Sequence, residues 1–303
     1  MARPKPQAAG SAGGARMTLS RVAFCGLGIM GAPMAAQLVR AGFTVTVYTR
    51  THEKAERFAA EHGAAAATTP AEAAEGADAL ITIVPDGPQV EQVLFGEAGA
   101  APALPSDALV VDMSTVAPSS SRAIAERLAP TGLVEAPVSG SKPKAEDGTL
   151  TIMAGGAPEH FERARPLFEA MGERIVHVGP LGHGQMAKLL TNTMGAVNAA
   201  VLAEAVRTAK AAGLDRDAFL EVAAGSAGAS AMLTLKGPPM FEERFEPALF
   251  KLEHMLKDVR HCLDEARALG IELQLGAVAE RLYAKADADG HGEEDFAAVY
   301  AAL

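Results

Sequence analysis

Cysteine is scarce in this sequence: Cys25 and Cys262 are the only two, and they lie far apart with no CxxC spacing. That scarcity excludes a disulfide framework and a zinc site built from cysteine pairs. Both cysteines stand in apolar or helical contexts, so we expect buried, unreactive thiols. Such thiols suit a reducing compartment, and we therefore expect a cytoplasmic protein.

Positive charge is also in short supply. The 303 residues include 27 Lys and Arg against 37 Asp and Glu, which gives a formal net charge of −10. A protein that binds a nucleic-acid backbone needs a basic face, so this balance argues against a nucleic-acid partner. It leaves room for one local cationic pocket that binds a small anion.

Long uninterrupted apolar runs are missing too, and no segment predicts a membrane span. The opening stretch MARPKPQAAGSAGGAR has no apolar core and is not a secretory signal, so we interpret residues 1–17 as a disordered leader. The remaining length is enough for two ordinary domains with full hydrophobic cores.

Short runs rich in valine and isoleucine alternate with helical segments from Arg21 to about Val178. The runs predicted as strands are 21–26, 43–48, 79–84, 108–113, 132–137, 149–156 and 174–179. This alternation predicts a parallel sheet with helices on both faces, and we expect the last two strands to continue the parallel pattern. The fold class is therefore α/β, beginning with a Rossmann-type doubly wound domain over residues 18–182.

The β-like runs stop after about Gly182, and the rest of the sequence predicts helices. The expected segments are 185–212, one from 215, 249–269, 272–286 and 293–303. The chain would thus continue as an all-α domain over residues 183–303, entered by one long interdomain helix. The stretch HVGPLGHGQ, with three glycines and a proline, marks the boundary.

The run VAFCGLGIMGAPM contains Gly26, Gly28 and Gly31 in GxGxxG spacing, directly after a predicted strand. It also opens a helix, with Pro33 in the first turn, where a missing N–H costs nothing. Glycines at such a turn let the backbone approach a pyrophosphate at the positive end of the helix. A glycine-rich turn without a ligand is the less favoured alternative.

The end of the second strand indicates which dinucleotide binds. An NAD site usually carries an acidic residue there to hold the ribose 2′-hydroxyl, but this strand ends in Thr49, followed by Arg50 and Thr51. A guanidinium can pair with a 2′-phosphate. NADP is therefore favoured and NAD remains possible, although Arg50 could also be an ordinary solvated charge.

A lysine interrupts the apolar segment GHGQMAKLLTN, and Asn192 follows Lys188 by four positions. On a helix this spacing places both side chains on one face. A desolvated lysine can donate a proton to a carbonyl oxygen as hydride reaches the carbon, with the asparagine holding the lysine or the substrate. From spacing alone, this hypothesis and a lysine that merely reaches the surface are about equally favoured.

No metal site is predicted. His254 and His261 lie seven residues apart on one predicted helix, which separates them by about 10 Å along its axis. That distance is too great for one ion to be bound by both side chains.

Five motifs in order resemble the β-hydroxyacid dehydrogenase family, which includes 3-hydroxyisobutyrate dehydrogenase. They are GLGIMGAPMA, VDMST (111–115), APVSGSKPKAEDGTLTIMAGG (136–156), GQMAKLLTN and FKLEHMLKD (250–258), and DGHGEEDFAAVY (289–300) matches the family's ending. The segments SGSKPKAEDG and KGPPMFEERFEPALFKLEHMLKD are most similar to the glyoxylate and succinic semialdehyde reductase branch. The resemblance implies an NADPH-dependent reductase of small aldehydes that carry a carboxylate.

The resemblance also implies roles for individual residues. Lys188 would be the proton donor, with Asn192 beside it. The substrate would be bound by Thr115, Ser139, Gly140, Phe250 and Asp258. The cofactor would be bound by Gly26, Leu27, Gly28, Ile29, Met30, Gly31, Arg50, Thr51, Val84, Pro85, Thr115 and Lys257. Family members pair through their helical domains, so a homodimer or homotetramer is expected.

Some residues depart from the family pattern. Gln37 and Thr49 stand where asparagine is usual, and Thr191 replaces an asparagine that many members carry before Asn192. The nearest alternative is a 3-hydroxyisobutyrate or tartronate semialdehyde enzyme of the same family. Imine reductases share the fold, and non-catalytic scaffolds are a further class, but both generally lack the lysine that this sequence has.

Overall fold

The computed structural model describes residues 19–303. The leader predicted over residues 1–17 lies outside the described residues. Within them, the first part of the chain is a nine-stranded sheet flanked by helices and the second part is helical, which confirms the predicted fold class.

The strands of the sheet follow one another as the sequence predicts, with two short additions. They are β1 (Arg21–Cys25), β2 (Thr44–Tyr48), β3 (Ala65–Ala66), β4 (Ala79–Thr82), β5 (Leu109–Asp112), β6 (Gly132–Glu135), β7 (Val138–Ser139), β8 (Leu150–Gly156) and β9 (Gly172–Gly179). The first six are parallel neighbours in the order β3-β2-β1-β4-β5-β6. This is the doubly wound order: the chain adds β2 and β3 on one side of β1 and then β4, β5 and β6 on the other side. The switch of sides between β1 and β4 leaves a crevice at the carboxyl ends of these strands.

Helices cover both faces of this sheet. They are α1 (Gly31–Arg40), α2 (His52–His62), α3 (Pro70–Ala74), α4 (Gly87–Phe95), α5 (Pro118–Leu128), α6 (Ser141–Asp147) and α7 (Pro158–Met171). Side chains of the buried strands alternate between two cores, so Phe24 packs with Met34 and Phe168 on one face, while Cys25 packs with Leu94 and Ile124 on the other.

The expectation that the last two strands continue the parallel pattern is wrong, because β8 and β9 both run opposite to the parallel strands that end with β6. Strand β8 runs antiparallel to β6 and β7 and pairs in parallel only with β9. The physical reason is the short connection, since β7 and the single helix α6 return the chain to the sheet without a crossover over its face. Residue composition does not reveal this reversal, because both arrangements bury β8.

The second part of the chain is built around one long helix. The helices are α8 (His183–Ala211), α9 (Arg216–Ala224), α10 (Ala231–Glu242), α11 (Leu252–Ala268) and α12 (Gln274–Ala286), followed by a 3-10 helix at Phe296–Ala302. Sequence reasoning missed α10, which contains Pro238 and Pro239. The helix forms nevertheless because Ser230 caps it and Leu233 and Met240 are buried against the domain core.

By length and composition alone, α8 could cross a membrane, contrary to the expectation that no segment does. About 44% of its most apolar window is buried inside the protein. The helix packs against α10, α11 and α12, and a core helix of this kind passes the same composition test. Contacts within the helical part of the chain therefore bury part of its apolar surface.

Candidate active site

The glycines of the predicted cofactor loop connect β1 to α1. Gly26 has a φ of 119°, and a Cβ there would collide with the Ile83 carbonyl oxygen; a Cβ on Gly31 would collide with the Gly26 carbonyl. Gly28 differs, because a Cβ there would meet no heavy atom within 4 Å. Two glycines therefore allow close packing of the turn, and the third leaves open space beside the backbone.

This space suits the pyrophosphate of a dinucleotide. Helix α1 begins after Met30 with no side-chain cap and no acidic residue in its first turn, so its first N–H groups and positive dipole end can serve an anion. Leu27 and Ile29 lie in the same loop. Val84 and Pro85 follow β4, the strand adjacent to β1, which places them across the crevice.

Arg50 and Thr51 follow the carboxyl end of β2, as the sequence predicts. Both side chains are exposed, and within residues 19–303 Arg50 forms no ion pair. Thr51 is the residue before α2 and makes no side-chain cap. The guanidinium is therefore available to a phosphate at the strand end.

Lys188 and Asn192 meet on α8. The Lys188 ammonium is buried and donates a hydrogen bond to the Asn192 side-chain oxygen at 3.0 Å. The Asn192 amide in turn donates to Asp258 on α11 at 2.6 Å. The alternative of a lysine that reaches the surface is thus wrong, since the side chain is held inside by a polar chain that spans two helices.

The surroundings of Lys188 adjust its acidity. Burial lowers the pKa of the ammonium below its ordinary value; the negative charge of Asp258 opposes this effect, and the positive charge of Lys257 adds to it. A lysine with a lowered pKa gives up its proton more readily. The site therefore contains a buried acid whose pKa responds to one anion and one cation nearby.

Lys257 links α11 to the sheet. Its ammonium donates to the Thr115 carbonyl oxygen at 2.5 Å and lies 2.9 Å from an oxygen of Asp258. Thr115 follows β5, so the structure brings this predicted residue, Lys257, Asp258, Asn192 and Lys188 into one continuous group.

Ser139 and Gly140 lie next to each other in the sheet part of the chain, whereas Phe250 lies in the helical part. Ser139 ends β7, and Gly140, with a φ of 143°, precedes α6. Phe250 precedes α11, and its backbone N–H donates to Asp295 at 3.3 Å. Among the described residues, no hydrogen bond joins Ser139, Gly140 or Phe250 to the group around Lys188.

Two residues that sequence reasoning missed anchor the start of α8. Glu135, buried at the end of β6, accepts hydrogen bonds from the backbone N–H groups of Gly182, Gly184 and Gln185 at 2.8–3.2 Å. The Gln185 side chain accepts from the Val116 N–H at 3.1 Å and donates to the Ser114 carbonyl at 2.9 Å. These contacts bind the first turn of α8, one turn before Lys188, to the sheet.

A signal for both residues was present in the sequence. Glu135 stands at the end of an apolar strand, and a carboxylate that is buried there requires a hydrogen-bonding or charged partner. Gln185 stands within the same short motif as Lys188. Neither signal identifies the partner, because the contacts join segments about 50 and 70 residues apart.

The remaining sequence predictions concern thiols and metals. Cys25 and Cys262 are buried and unpaired, and burial raises the pKa of the Cys25 thiol to about 12. Over the part of the chain that the structure describes, no three His, Cys, Asp or Glu side chains are grouped as metal ligands.

Comparisons with known proteins agree with this architecture. A protein-family model described as the NAD binding domain of 6-phosphogluconate dehydrogenase matches residues 21–179. A second, described as NAD-binding of NADP-dependent 3-hydroxyisobutyrate dehydrogenase, matches residues 182–303. Together they cover nearly all of the described chain.

Individual relatives extend over the same length. The chain is 35% identical over 284 residues to a 3-sulfolactaldehyde reductase of Escherichia coli, covering 93% of this chain and 95% of that protein. It is 36% identical to glyoxylate/succinic semialdehyde reductase 2, chloroplastic, of Arabidopsis thaliana, covering 93% of this chain and 79% of that one. The crystal structure of a Salmonella typhimurium 3-hydroxyisobutyrate dehydrogenase superposes with a TM-score of 0.86 at 29% identity, covering 94% of this chain and all of that one.

The matching models, the similar reductases and the shared two-domain fold lead to one conclusion. The chain belongs to the β-hydroxyacid dehydrogenase family and is an NAD(P)-dependent oxidoreductase that acts on hydroxyl or aldehyde groups.

Proposed function

We propose that this protein is an NADPH-dependent reductase of small aldehydes that carry a carboxylate, of the glyoxylate or succinic semialdehyde type. The observation that carries the proposal is the buried chain from Lys188 through Asn192 to Asp258. It holds a proton donor of lowered pKa beside a crevice that suits a dinucleotide.

Proton transfer and substrate binding would be divided among separate residues. The nicotinamide, when bound, supplies hydride to the carbonyl carbon. The Lys188 ammonium donates a proton to the carbonyl oxygen, while Asn192 fixes the position of that ammonium. Ser139 and Gly140 donate hydrogen bonds to the substrate carboxylate, and Thr115, Phe250 and Asp258 line the pocket.

Cofactor binding is assigned to the loop and strand ends. The loop Gly26, Leu27, Gly28, Ile29, Met30 and Gly31 receives the pyrophosphate. Val84, Pro85, Thr115 and Lys257 contact the nicotinamide half, and Arg50 and Thr51 bind the 2′-phosphate. Arg50 supports NADP over NAD, because its exposed guanidinium directly follows Thr49, and Thr49 stands where an NAD site would carry an acid.

We further propose that residues 18–182 form the cofactor domain and residues 183–303 a substrate and oligomerisation domain of a cytoplasmic homodimer or homotetramer. Leu190, Met194 and Val201 of α8 are 43–65% exposed, and Leu275 and Val278 of α12 are 44–69% exposed. Large apolar side chains on adjoining helices favour burial against a second copy. Light scattering on Met194→Glu would contradict this if the mass of the assembly is unchanged from wild type.

The catalytic proposal is tested with a panel of aldehydes and both cofactors. The values of kcat/KM are compared for five aldehydes: glyoxylate, succinic semialdehyde, tartronate semialdehyde, 3-sulfolactaldehyde and the aldehyde that forms when 3-hydroxyisobutyrate is oxidised. Butanal is the control, because it has four carbons and no carboxylate. We expect NADPH-linked reduction of glyoxylate or succinic semialdehyde and poor use of butanal. A clear preference for another semialdehyde would favour the other family members instead.

The role of Lys188 is tested separately. Lys188→Ala should lower kcat by about 10²–10⁴-fold, the usual contribution of a general acid, while NADPH still binds. Lys210→Ala is the matched control, because it removes an exposed lysine from the other end of α8. Undiminished turnover in Lys188→Ala would contradict the proposal, and binding of NADPH without turnover in wild type would indicate a scaffold.

A further inference from the structure

Three side chains on one face of α11 contact the sheet domain. Lys257, His261 and Glu265 are spaced four residues apart, so they lie along one line of the helix. Lys257 bonds to Thr115; His261 bonds to Asp86; and Glu265 accepts from the backbone and hydroxyl of Ser119. One line of polar residues therefore joins the helical part of the chain to the loops after β4 and β5 and to the first turn of α5.

The middle contact falls outside every motif that identified the family. The His261 Nε2 atom lies 3.0 Å from the Asp86 carboxylate, although the residues are 175 positions apart. Asp86 also accepts from the Gly87 N–H at 2.7 Å and so caps α4. The carboxylate is held from two directions, which fixes the end of the loop that follows β4.

The same carboxylate faces the cation of the site. The Lys257 ammonium lies 4.0 Å from Asp86 and 2.9 Å from Asp258. Burial raises the pKa of the Asp86 carboxyl, but the hydrogen bond from His261 and the charge of Lys257 outweigh that effect and hold the pKa below its usual value. Asp86 is thus an anion between two α11 side chains.

Asp86 directly follows Val84 and Pro85, which the proposed function assigns to the cofactor. A contact that fixes Asp86 therefore limits the positions of this loop and of Lys257 before any ligand binds. Preorganisation of that kind strengthens binding, because the ordering cost has already been met in the free protein.

We propose that His261 and Asp86 form an interdomain latch that positions the 84–86 loop and Lys257 for the dinucleotide. His261 is a positioning residue, and the inference rests on the proposed function in so far as that loop and Lys257 contact the cofactor. The latch holds α11 against the sheet part through the hydrogen bond from His261 to Asp86. The apolar side chain introduced by His261→Leu could not form that bond.

The test uses the full chain and three variants. His261→Leu removes the donor; His261→Gln keeps a side-chain N–H at similar reach without an ionisable ring. His291→Leu is the matched control, since His291 makes a similar contact at 2.9 Å with similar exposure, but to Glu294 three residues along the chain and not to the sheet part. For each, the Kd of whichever of NADPH and NADH binds wild type more tightly is measured by fluorescence, and amide hydrogen exchange of residues 84–90 is followed without cofactor.

We expect His261→Leu to raise the Kd and the KM for the cofactor about tenfold, the effect of one lost contact, with kcat changed less than about threefold. Exchange at 84–90 should be faster, and His261→Gln should restore both values. Unchanged binding and exchange in His261→Leu, an equal defect in His261→Gln, or the same increase in Kd for His291→Leu would overturn the latch. Binding and exchange need no aldehyde, so a wrong substrate class or an active Lys188→Ala would sink the proposed function without deciding this test.

Discussion

Asn192 bridges Lys188 to Asp258: its side-chain oxygen accepts from the lysine at 3.0 Å, and its amide donates to the carboxylate at 2.6 Å. The amide orientation is therefore determined by both neighbours. The Lys188 ammonium has three N–H donors and uses one of them in the hydrogen bond to Asn192. Asp258 accepts from Asn192 and not from Lys188. The arrangement suits a proton donor that must also reach a substrate.

Asp258 and Lys257 should shift the pH profile of reduction in opposite directions. Reduction needs protonated Lys188, so the rate falls as pH rises through the pKa of that ammonium. Asp258 raises this pKa and Lys257 lowers it. Asp258→Asn should therefore move the alkaline fall of kcat to lower pH, and Lys257→Met should move it to higher pH.

This pair of shifts is measured as kcat against pH with both substrates saturating. Lys210→Ala again provides a control on the same helix as Lys188. Shifts of the same sign in the two α11 variants would show that at least one of the two charges does not act on Lys188 as the geometry requires.

Arg50→Ala should weaken NADPH binding and leave NADH binding nearly unchanged. The guanidinium is exposed at the end of β2, and a hydrogen bond to a charged group contributes about 1.5–3 kcal/mol, so the Kd for NADPH should rise roughly ten- to hundredfold. NADH has no 2′-phosphate and acts as the internal reference in the same titration. An equal loss for both cofactors would place Arg50 elsewhere than at the 2′-phosphate.

Asp112→Asn should change how stability depends on pH. Burial raises the pKa of the Asp112 carboxyl from 3.8 to about 6, against the opposing hydrogen bonds of Ser114 and Thr82 and with the added charge of Glu135. Since the folded-state pKa is raised, the stabilising contribution of this carboxyl is full below pH about 4 and is lost as pH rises through about 6.

The asparagine keeps the acceptor for Thr82 and Ser114 and carries no charge. Relative to wild type, Asp112→Asn should gain up to about 3 kcal/mol in free energy of unfolding between pH about 4 and about 8. Urea unfolding of both proteins at the two pH values measures this difference. A constant difference across that interval would mean that Asp112 does not titrate there.

Lys236→Met should destabilise the helical part far more than the loss of a surface ion pair. Lys236 pairs with Asp295 at 2.7 Å, and both side chains are buried. Removal of the lysine leaves a buried carboxylate without its cation, at a cost of about 3–5 kcal/mol. Arg165→Ala, which breaks the exposed pair with Glu162, should cost at most about 1 kcal/mol.

The two variants are compared by the shift in urea midpoint at neutral pH. Equal shifts would show that burial does not distinguish these pairs. Asp295 also accepts the backbone N–H groups of Leu249 and Phe250, so a rise in KM for the aldehyde should accompany the loss of stability in Lys236→Met.

Much of the fold was readable from local patterns. The parallel strands around β1 were predicted because short runs rich in valine and isoleucine alternate with helical segments. The long helix α8 was predicted because the β-like runs stop after about Gly182 and the apolar character continues. The antiparallel direction of β8 was not predicted, since a strand buried on both faces has the same composition in either direction. Helix α10 was missed because its two prolines argue against a helix, while Ser230 and the burial of Leu233 and Met240 outweigh them.

In the candidate site, too, local spacing was predictable from the sequence, whereas contacts between distant segments were not. The spacing of Lys188 and Asn192 predicted that they share a face, and this is confirmed. Glu135, Gln185, Asp86 and His261 were not found, because each contacts a segment about 50 to 175 residues away. No local pattern encodes such a partner.

The sequence by itself determined the family, the glycine loop and the positions of the ionisable residues, because short-range spacing and motif order are properties of a linear chain. Only the tertiary structure decided that Lys188 is buried, that Asn192 connects it to Asp258, and that α11 contacts the loops after β4 and β5. The physical reason is that the pKa of a buried lysine depends on desolvation and on charges a few ångströms away. Those distances exist only once α8, α11 and the sheet have packed together.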